Sequence, residues 1–281
     1  MGKFLTKKKV VFILIAVFLL LYVVSTLIYK VQPKIALISI DGVISDYYPI
    51  VQNLDIARKS SSIKAVVIKV NSPGGSVGAS QEIYRAIEKL RQEKPVVVSM
   101  GNVAASGGYY VSIPANVIYA NTGTITGSIG VIVQHLDATK LLSKVGIKIS
   151  NIKSGKNKDI LYPNRPLTPE SKKLLEKTIK DIYEEFLQDI VKYRNIDINT
   201  LRKYADGRIM SGKEAKRLKL IDKIGNIQDA VEEAKDLVGL KGKKVILIEL
   251  KPKPPLLEQL LGAKIENILT PTGIYYLMSF E

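Results

Sequence analysis

The sequence has no cysteine and a single histidine, His135, among its 281 residues. The absence of cysteine excludes disulfide bonds, thiolate nucleophiles and cysteine-ligated metals. A single histidine likewise excludes a metal site built from several histidines. We therefore expect neither a metal nor another cofactor to take part in the chemistry of this chain.

Acidic residues are also scarce, because 26 aspartates and glutamates face 42 lysines and arginines, which gives a net charge of +16. A basic surface favours acidic partners such as anionic lipids or nucleic acid. The lysines are nevertheless mixed with glutamates, as in "SKKLLEKTIKDIYEEF" (171–186), and do not form blocks with interleaved aromatic residues. This mixture is typical of a solvated surface, and we expect no nucleic-acid partner.

One long uncharged apolar run extends from Val10 to Tyr29. At about 1.5 Å per residue, the run spans a hydrocarbon core of about 30 Å, which predicts a single transmembrane helix. The positive-inside rule places the N-terminus in the cytoplasm and the remaining chain on the outer side of the cell membrane, because the run follows Lys3, Lys7, Lys8 and Lys9. A cleaved signal peptide is the alternative, although "STLIYKVQP" offers no small-x-small cleavage pattern.

The composition of the chain indicates three parts. A cytoplasmic N-terminus and the anchor cover 1–33, and a large domain covers 34–250. The segment "KPKPP" then interrupts regular structure and begins a C-terminal tail over 251–281. The tail can touch the membrane, pack on a neighbouring subunit or enter a groove of the large domain, and the residues leave these alternatives open.

Apolar runs of strand length alternate with amphipathic patterns throughout the large domain. The strand-like runs are "KIALISI" (34–40), "IKAVVIKV" (63–70), "PVVVSM" (95–100), "NVIYA" (116–120), "GIKISNI" (146–152) and "KVILIEL" (244–250). Helical spacing of apolar residues marks 78–92 and 167–195. Thr168 is a predicted N-cap, and Ser211 with Glu214 forms a predicted capping box. The alternation predicts an α/β domain with a largely buried sheet.

Ser106 lies in "GNVAASGGYY" (101–110), directly after a β-branched run. Small residues are needed where a backbone turns sharply or lets another molecule approach closely. A serine on a strand-to-helix turn is a candidate nucleophile, and the alternative is a tight turn with a packed serine.

A serine nucleophile needs donors for an oxyanion and a base. Gly74 and Gly75 in "NSPGGSVG" (71–78), together with the amide of Gly107, are candidate oxyanion donors. The base is either His135, in a triad with an acid such as Asp159, or a lysine. Chemistry alone leaves the lysine of "IKSGKNKD" open among Lys153, Lys156 and Lys158.

Five motifs together resemble the signal peptide peptidase A (SppA) family of membrane-anchored serine proteases. They are "NSPGGSV", "GNVAASGGYY", "TGTITGSIGVI", "IKSGKNKD" and "ADGRIMSGKEAKRLKLID". The resemblance implies that Ser106 is the nucleophile, Lys158 the general base and Ser128 the residue that orients the lysine. A lysine base must be neutral, and a nearby carboxylate opposes this. We therefore expect Asp159 to point away from the Lys158 amine.

The resemblance further implies a fold like that of the Clp protease subunit and the crotonases, a spiral of ββα units. It also implies a homo-oligomer in which serine and lysine meet across subunits, and substrates that are cleaved signal peptides and other hydrophobic or unfolded polypeptides. The alternatives are an NfeD-like membrane serine–lysine protease, a non-catalytic oligomeric peptide-binding scaffold and a crotonase-like acyl-CoA enzyme. For a protease of the SppA family, the placement of the tail in a groove predicts that it mimics a substrate.

Overall fold

The computed structural model describes residues 2–251 and 274–277, so most of the predicted tail lies outside the described residues. The first element is a helix, α1 (Gly2–Val31), which contains the predicted apolar run. Its segment Lys9–Thr26 has a mean hydropathy of 2.5, and none of it is buried inside the protein. Within the described residues, this one helix is long and apolar enough to cross a membrane.

Short and medium strands build the large domain. In chain order they are β1 (Lys34–Asp41), β2 (Ile63–Ser72), β3 (Gly74–Ser76), β4 (Val96–Ala105), β5 (Val117–Ala120), β6 (Ile125–Gly127), β7 (Ile132–Val133), β8 (Ile209–Ser211), β9 (Lys223–Ile224), β10 (Ile246–Leu250) and β11 (Ile274–Leu277). Six of them form a parallel path in the order β10-β1-β2-β4-β5-β9. Five of the six predicted strand runs are confirmed.

The long strand β4 belongs to two parts of the sheet. Its first half pairs with β5 through Val97–Met100, and its second half pairs with β6 through Val103–Ala105. Strand β6 pairs in turn with β8 in the antiparallel direction. Strand β4 therefore joins both parts of one sheet, and Ser106 is the first residue beyond the end of this strand.

Helices cover both faces of the central sheet. They are α2 (Tyr48–Lys59), α3 (Val77–Arg91), α4 (Gly107–Ser112), α5 (Thr139–Lys144), α6 (Pro169–Tyr193), α7 (Ile198–Arg202), α8 (Gly212–Arg217) and α9 (Ile227–Leu237). On one face, Ile35, Val67 and Val97 pack with Ala230 and Ala234 of α9. Their sequence neighbours point to the other face, where the larger core includes α3, α4 and the end of α6. This alternation confirms the predicted buried sheet of an α/β domain.

The predicted helix starts are confirmed in one case and corrected in part in the other. Thr168 accepts a hydrogen bond from the Ser171 N–H and caps α6. Ser211 caps α8 in the same way through the Glu214 N–H. The Glu214 carboxylate, however, binds Arg217 and does not return to Ser211. Only half of the predicted capping box therefore forms, because an arginine one turn later competes for the carboxylate.

The predicted strand at 146–152 is wrong. This stretch lies in a long excursion between Gly130 and Pro169, which we call the arm (residues 131–168). Residues 146–152 contain no strand, and β7 is the strand that the arm does contain. Ile147 and Ile149 are about half exposed, and Ile152 is fully exposed. The apolar run fails to become a strand because no strand of the described residues lies alongside it to complete its hydrogen bonds.

Candidate active site

Ser106 occupies the junction between β4 and α4 in an unusual backbone conformation. Its φ is 52° and its ψ is −116°, in a region that non-glycine residues rarely adopt. The Ser106 N–H donates to the Gly127 carbonyl at 2.8 Å, and its carbonyl accepts from the Tyr110 N–H at 2.8 Å. Strain of this kind persists only where the surroundings enforce it, and it clusters at functional sites.

The hydroxyl of Ser106 is buried and unpaired. The residue is 1% exposed, and its Oγ has no hydrogen-bond partner among the described residues. Buried polar atoms are paired in most native structures, so an orphaned hydroxyl at a strained turn indicates a group that a substrate or a base completes.

The small residues around Ser106 allow backbones to approach closely. A Cβ on Gly108 would lie 2.5 Å from the Ser72 carbonyl oxygen, and a Cβ on Gly107 would lie 3.1 Å from the Gly75 nitrogen. A Cβ on Gly75 would in turn lie 2.1 Å from the Ile44 carbonyl oxygen. The glycines of the two motifs "NSPGGSV" and "GNVAASGGYY" therefore meet in space, and each position excludes a larger residue.

Two tyrosines fix α4 in the core. The Tyr109 hydroxyl donates to the Leu220 carbonyl at 2.9 Å. The Tyr110 hydroxyl donates to Asp189 Oδ2 at 2.5 Å, and the Tyr84 hydroxyl of α3 donates to Asp189 Oδ1 at 2.9 Å. Burial raises the pKa of both Tyr109 and Tyr84 above the ordinary value, so these hydroxyls remain protonated donors. The helix that begins after Ser106 is thus held to α3 and α6.

Asp189 was not identified from the sequence. It lies one residue before Ile190 on the long helix, beside the apolar residues Phe186 and Ile190 that enter the core. A carboxylate beside the apolar core residues of a helix indicates that hydrogen-bond donors are buried nearby, because a buried carboxylate needs them. Two donors are available in the tyrosines of α3 and α4, but their proximity follows from the fold and not from the spacing.

The predicted oxyanion donors are not equivalent. Gly74 has a φ of 109°, which glycine alone adopts readily. Its N–H donates to Ser72 Oγ at 3.1 Å, and its carbonyl accepts from the Ile44 N–H at 2.8 Å. The Gly74 amide is therefore occupied inside the protein, whereas Gly75 and Gly107 adjoin each other beside Ser106.

Ser128 also has a positive φ, 48°, and directly follows Gly127, which binds the Ser106 amide. Its N–H donates to the Arg208 carbonyl at 2.8 Å. Ser128 lines a cavity of about 430 Å³ together with apolar residues of the arm and of α6, including Ile132, Ile179 and Tyr183. The cavity also contains Asp206, whose carboxyl pKa is lowered to about 2 by the hydrogen-bonded Arg208 guanidinium.

The three candidate lysines differ in their ion pairs. Lys153 Nζ lies 2.6 Å from Asp159 Oδ1, and Lys156 Nζ lies 2.8 Å from Glu170 Oε1. Lys158 is exposed and has no ion pair with a described carboxylate. The contacts therefore separate Lys158, which no described carboxylate holds, from Lys153 and Lys156.

Asp159 is buried and faces other groups than Lys158. Its carboxylate accepts hydrogen bonds from Lys153, Asn151 and Arg165. Lys153, with Asn151 and Arg165, holds the pKa of the Asp159 carboxyl well below the ordinary value. These contacts agree with the expectation that Asp159 is turned away from the Lys158 amine.

His135 lies in the arm, where its Nε2 is 3.3 Å from the Tyr162 carbonyl oxygen. Within the described residues, no hydrogen bond joins His135 to Asp159 or to Ser106. The structure also joins neither His135 nor Lys158 to the Ser106 hydroxyl within one chain.

A segment of the tail lies along the site. Strand β11 forms a three-stranded sheet between β3 and β7 and runs antiparallel to both. Tyr276 is opposite Gly75, and Leu277 is opposite Gly74. An extended segment of the chain therefore pairs with the strand that carries the predicted oxyanion glycines. The residues of the tail left this placement open among three alternatives.

The chain is similar to several known proteases. It matches the family model described as Clp protease over residues 27–117, in agreement with the predicted ClpP-like α/β fold, which is confirmed. It also resembles a structure of a ClpP1 mutant from Listeria monocytogenes, with 18% identity, a TM-score of 0.48, and coverage of 74% of this chain and 99% of that one.

Two other relatives have higher sequence identity to the chain than this structure has. The chain is 42% identical over 198 residues to a Synechocystis protein named "Putative protease", covering 70% of this chain and 72% of the relative. It is 34% identical over 227 residues to an Enterococcus faecium protein named "Putative signal peptide peptidase SppA", covering 76% of this chain and 66% of the relative. The model described as Peptidase family S49 matches residues 88–241. The chain belongs to peptidase family S49, the SppA family of serine proteases.

Proposed function

We propose that this chain is a membrane-anchored serine endopeptidase in which Ser106 is the nucleophile and Lys158 the general base. The observation that carries the proposal is the state of Ser106, whose backbone has a positive φ of 52° and whose buried hydroxyl is unpaired in the described residues. Leaving a buried hydroxyl unpaired costs about 1 to 3 kcal/mol. Ser80 Oγ is also buried and unpaired among the residues that the structure describes, but it lies within helix α3, whereas at Ser106 the unpaired hydroxyl coincides with the strained backbone.

Acylation begins when Ser106 Oγ attacks the carbonyl carbon of the scissile peptide bond and the neutral amine of Lys158 accepts the hydroxyl proton. The oxyanion accepts hydrogen bonds from the Gly75 and Gly107 amides, while Gly74 shapes the turn that presents Gly75. Lys158 then donates the proton to the leaving amine. Lys158 next takes a proton from water, whose oxygen attacks the ester carbonyl. The Lys158 ammonium returns this proton to Ser106 Oγ as the acyl product leaves.

The base is supplied by a second copy of the chain. Three features support this: the Ser106 hydroxyl is unpaired within one chain, Lys158 is exposed, and the arm that carries Lys158 exposes a series of apolar side chains. They include Leu136, Leu141, Val145, Ile147, Ile149 and Ile152. An exposed apolar surface of this kind marks an interface. In the assembled homo-oligomer, Ser128 accepts or donates a hydrogen bond to orient the incoming lysine.

Substrates are extended hydrophobic polypeptides, such as cleaved signal peptides and other unfolded chains. A peptide that adds as a strand between β3 and β7 gains main-chain hydrogen bonds that do not depend on its sequence. Ile132, Ile179 and Ile209 line one part of the cavity beside Ser128, and this part suits apolar side chains. The Enterococcus faecium relative, whose name includes "signal peptide peptidase", supports the same substrate class.

The N-terminal helix supports the proposed domain arrangement. The segment 1–33 anchors the protein in the cell membrane with its N-terminus in the cytoplasm, the protease domain (34–250) lies outside, and residues 251–281 form the tail. Protease protection in spheroplasts tests this topology. Digestion of the large domain by an external protease is expected, and its protection until the membrane is lysed would contradict the orientation.

The described strand of the tail, β11, occupies the substrate cleft when no substrate is bound. The pairing of β11 with both β3 and β7 supports this role. A chain that ends at Lys251 is expected to cleave a short fluorogenic peptide with a lower KM, and a synthetic peptide of residues 270–281 is expected to inhibit it competitively. Unchanged activity and unchanged assembly after truncation would remove the tail from the cleft.

The catalytic assignment is tested with the full-length protein in detergent. The parent, Ser106→Ala, Lys158→Ala and His135→Ala are compared on unfolded casein and on a fluorogenic hydrophobic peptide, after light scattering has shown equal assembly. Loss of activity in the first two variants alone is expected. Loss with His135→Ala and survival with Lys158→Ala would instead show that histidine is the base, and an inactive parent would favour a scaffold.

A further inference from the structure

The loop that carries Lys158 is closed around one buried carboxylate. Asp159 is 6% exposed, although most of its neighbours in the arm are exposed. Its Oδ1 accepts from Lys153 Nζ at 2.6 Å and from Arg165 Nη1 at 2.5 Å, and its Oδ2 accepts from Asn151 Nδ2 at 3.0 Å. Both oxygens are therefore used, and the donors come from both sides of Asp159 in the sequence.

The same two cations also bind the backbone. Lys153 Nζ donates to the Lys156 carbonyl at 3.1 Å, and Arg165 Nη1 donates to that carbonyl at 3.3 Å. The carboxylate of Asp159 and the carbonyl of Lys156 thus share two donors, with Lys158 between them in the chain. We call Asp159, Lys153 and Arg165 the clamp.

Backbone turns complete the closure. The Lys158 N–H donates to the Gly155 carbonyl at 3.2 Å, the Ile160 N–H donates to the Asn157 carbonyl at 3.2 Å, and the Tyr162 N–H donates to the Asp159 carbonyl at 3.0 Å. The backbone on both sides of Lys158 is fixed by these bonds, although the arm has no long helix or strand at this point.

The clamp also determines which lysine has no carboxylate partner. Asp159 is adjacent to Lys158 in the sequence, and a direct ion pair between them would favour the charged amine. Lys153 and Arg165 occupy the Asp159 carboxylate, and Glu170 pairs with Lys156. Lys158 remains the lysine of this motif without an ion pair among the described residues.

We propose that Asp159 is a positioning residue for the peptidase reaction, which acts through the clamp to fix the backbone of Lys158 and to keep its own carboxylate away from the Lys158 amine. The inference rests on the proposed role of Lys158 as the base. It assigns no contact between Asp159 and the substrate.

The first test is Asp159→Asn in the full-length, detergent-solubilised protein. An amide keeps the shape of the side chain but lacks the charge that holds Lys153 and Arg165. Because misplacement of a catalytic group by about 1 Å costs about 100-fold, kcat is expected to fall about 10- to 100-fold. KM is expected to stay within about twofold, because β3 and β7 are unchanged. Glu170→Gln, which also neutralises a carboxylate paired with this loop, is the matched control and is expected to keep the parent kcat.

A second comparison separates positioning from a general loss of structure. Rates of Lys158→Ala and of Lys158→Ala with Asp159→Asn are measured with and without ethylamine, which replaces a missing lysine amine. If Asp159 acts through Lys158, the second substitution changes neither rate, because no tethered amine remains to be positioned. If Asp159→Asn lowers the rates of Lys158→Ala with and without ethylamine as strongly as it lowers the parent rate, Asp159 supports the fold or the assembly. That result would overturn the proposal.

The outcomes distinguish this inference from the proposed function. An active Lys158→Ala variant contradicts the base assignment itself. An inactive Lys158→Ala variant beside a fully active Asp159→Asn variant preserves the base assignment and refutes the clamp alone.

Discussion

The close approach of Gly108 to the backbone of Ser72 predicts a severe effect of Gly108→Ala. The added Cβ would lie 2.5 Å from the Ser72 carbonyl oxygen, whereas ordinary contacts begin at 3.4 Å. Relief therefore requires a separation of about 1 Å between two main-chain segments, since neither contact atom is at the end of a flexible side chain. One segment is the helix that follows Ser106, and the other leads into Gly74 and Gly75.

This displacement separates Ser106 from the oxyanion donors, although both must contact the carbonyl group of the same substrate peptide bond. A 1 Å misplacement lowers the rate by about 100-fold, so we expect kcat for a fluorogenic hydrophobic peptide to fall by about that factor. Overpacking also lowers the free energy of unfolding by about 1 to 3 kcal/mol, which thermal unfolding measures. Gly78→Ala is the matched control, because a Cβ there meets nothing within 4 Å. A Gly108→Ala variant with parent kcat and parent unfolding temperature would refute the reasoning.

Two further predictions concern the supports of the site. Tyr110→Phe removes the hydrogen bond to Asp189 at 2.5 Å. In denaturant titrations it is expected to lower the free energy of unfolding by about 1 to 3 kcal/mol. Tyr48→Phe, at an exposed ring, is the control and should change that free energy by less than about 0.5 kcal/mol. The pKa of Asp159 is lowered in the folded protein, so its stabilisation is present above the ordinary carboxyl value of 3.8 and declines below it. The difference in unfolding temperature between the parent and Asp159→Asn should therefore narrow as the pH falls below 3.8, and a difference that stays constant down to pH 2 would contradict this assignment.

Much of the architecture was predictable because buried parallel strands are continuously apolar. The runs that became β1, β2 and β4 illustrate this, since both faces of each strand are covered. The run at 146–152 has the same composition but no partner strand in the described residues, and its isoleucines are exposed instead. Composition identifies a segment that can be a strand, but the neighbouring chain decides whether it becomes one.

The site was predictable at the level of residue types and less so at the level of roles. The glycines around Ser106 indicated a close approach of backbones, which the contacts of Gly107 and Gly108 explain. Chemistry could not choose among three lysines, because the ion pairs of Lys153 and Lys156 depend on tertiary contacts. The sequence also could not predict that the Gly74 amide binds Ser72 Oγ, since this contact depends on the local turn.

The central claim is that Ser106 and Lys158 from two copies of the chain form one peptidase site. The most direct test co-expresses Ser106→Ala and Lys158→Ala with different affinity tags and purifies the mixed oligomers through both tags. Each variant alone is inactive. Random pairing of equal amounts should restore about a quarter of the parent sites over all oligomers, because each site needs a serine from one variant and a lysine from the other, and this fraction rises above a quarter once both tags have removed the unmixed oligomers. Mixed oligomers of parent size that remain inactive would contradict the account.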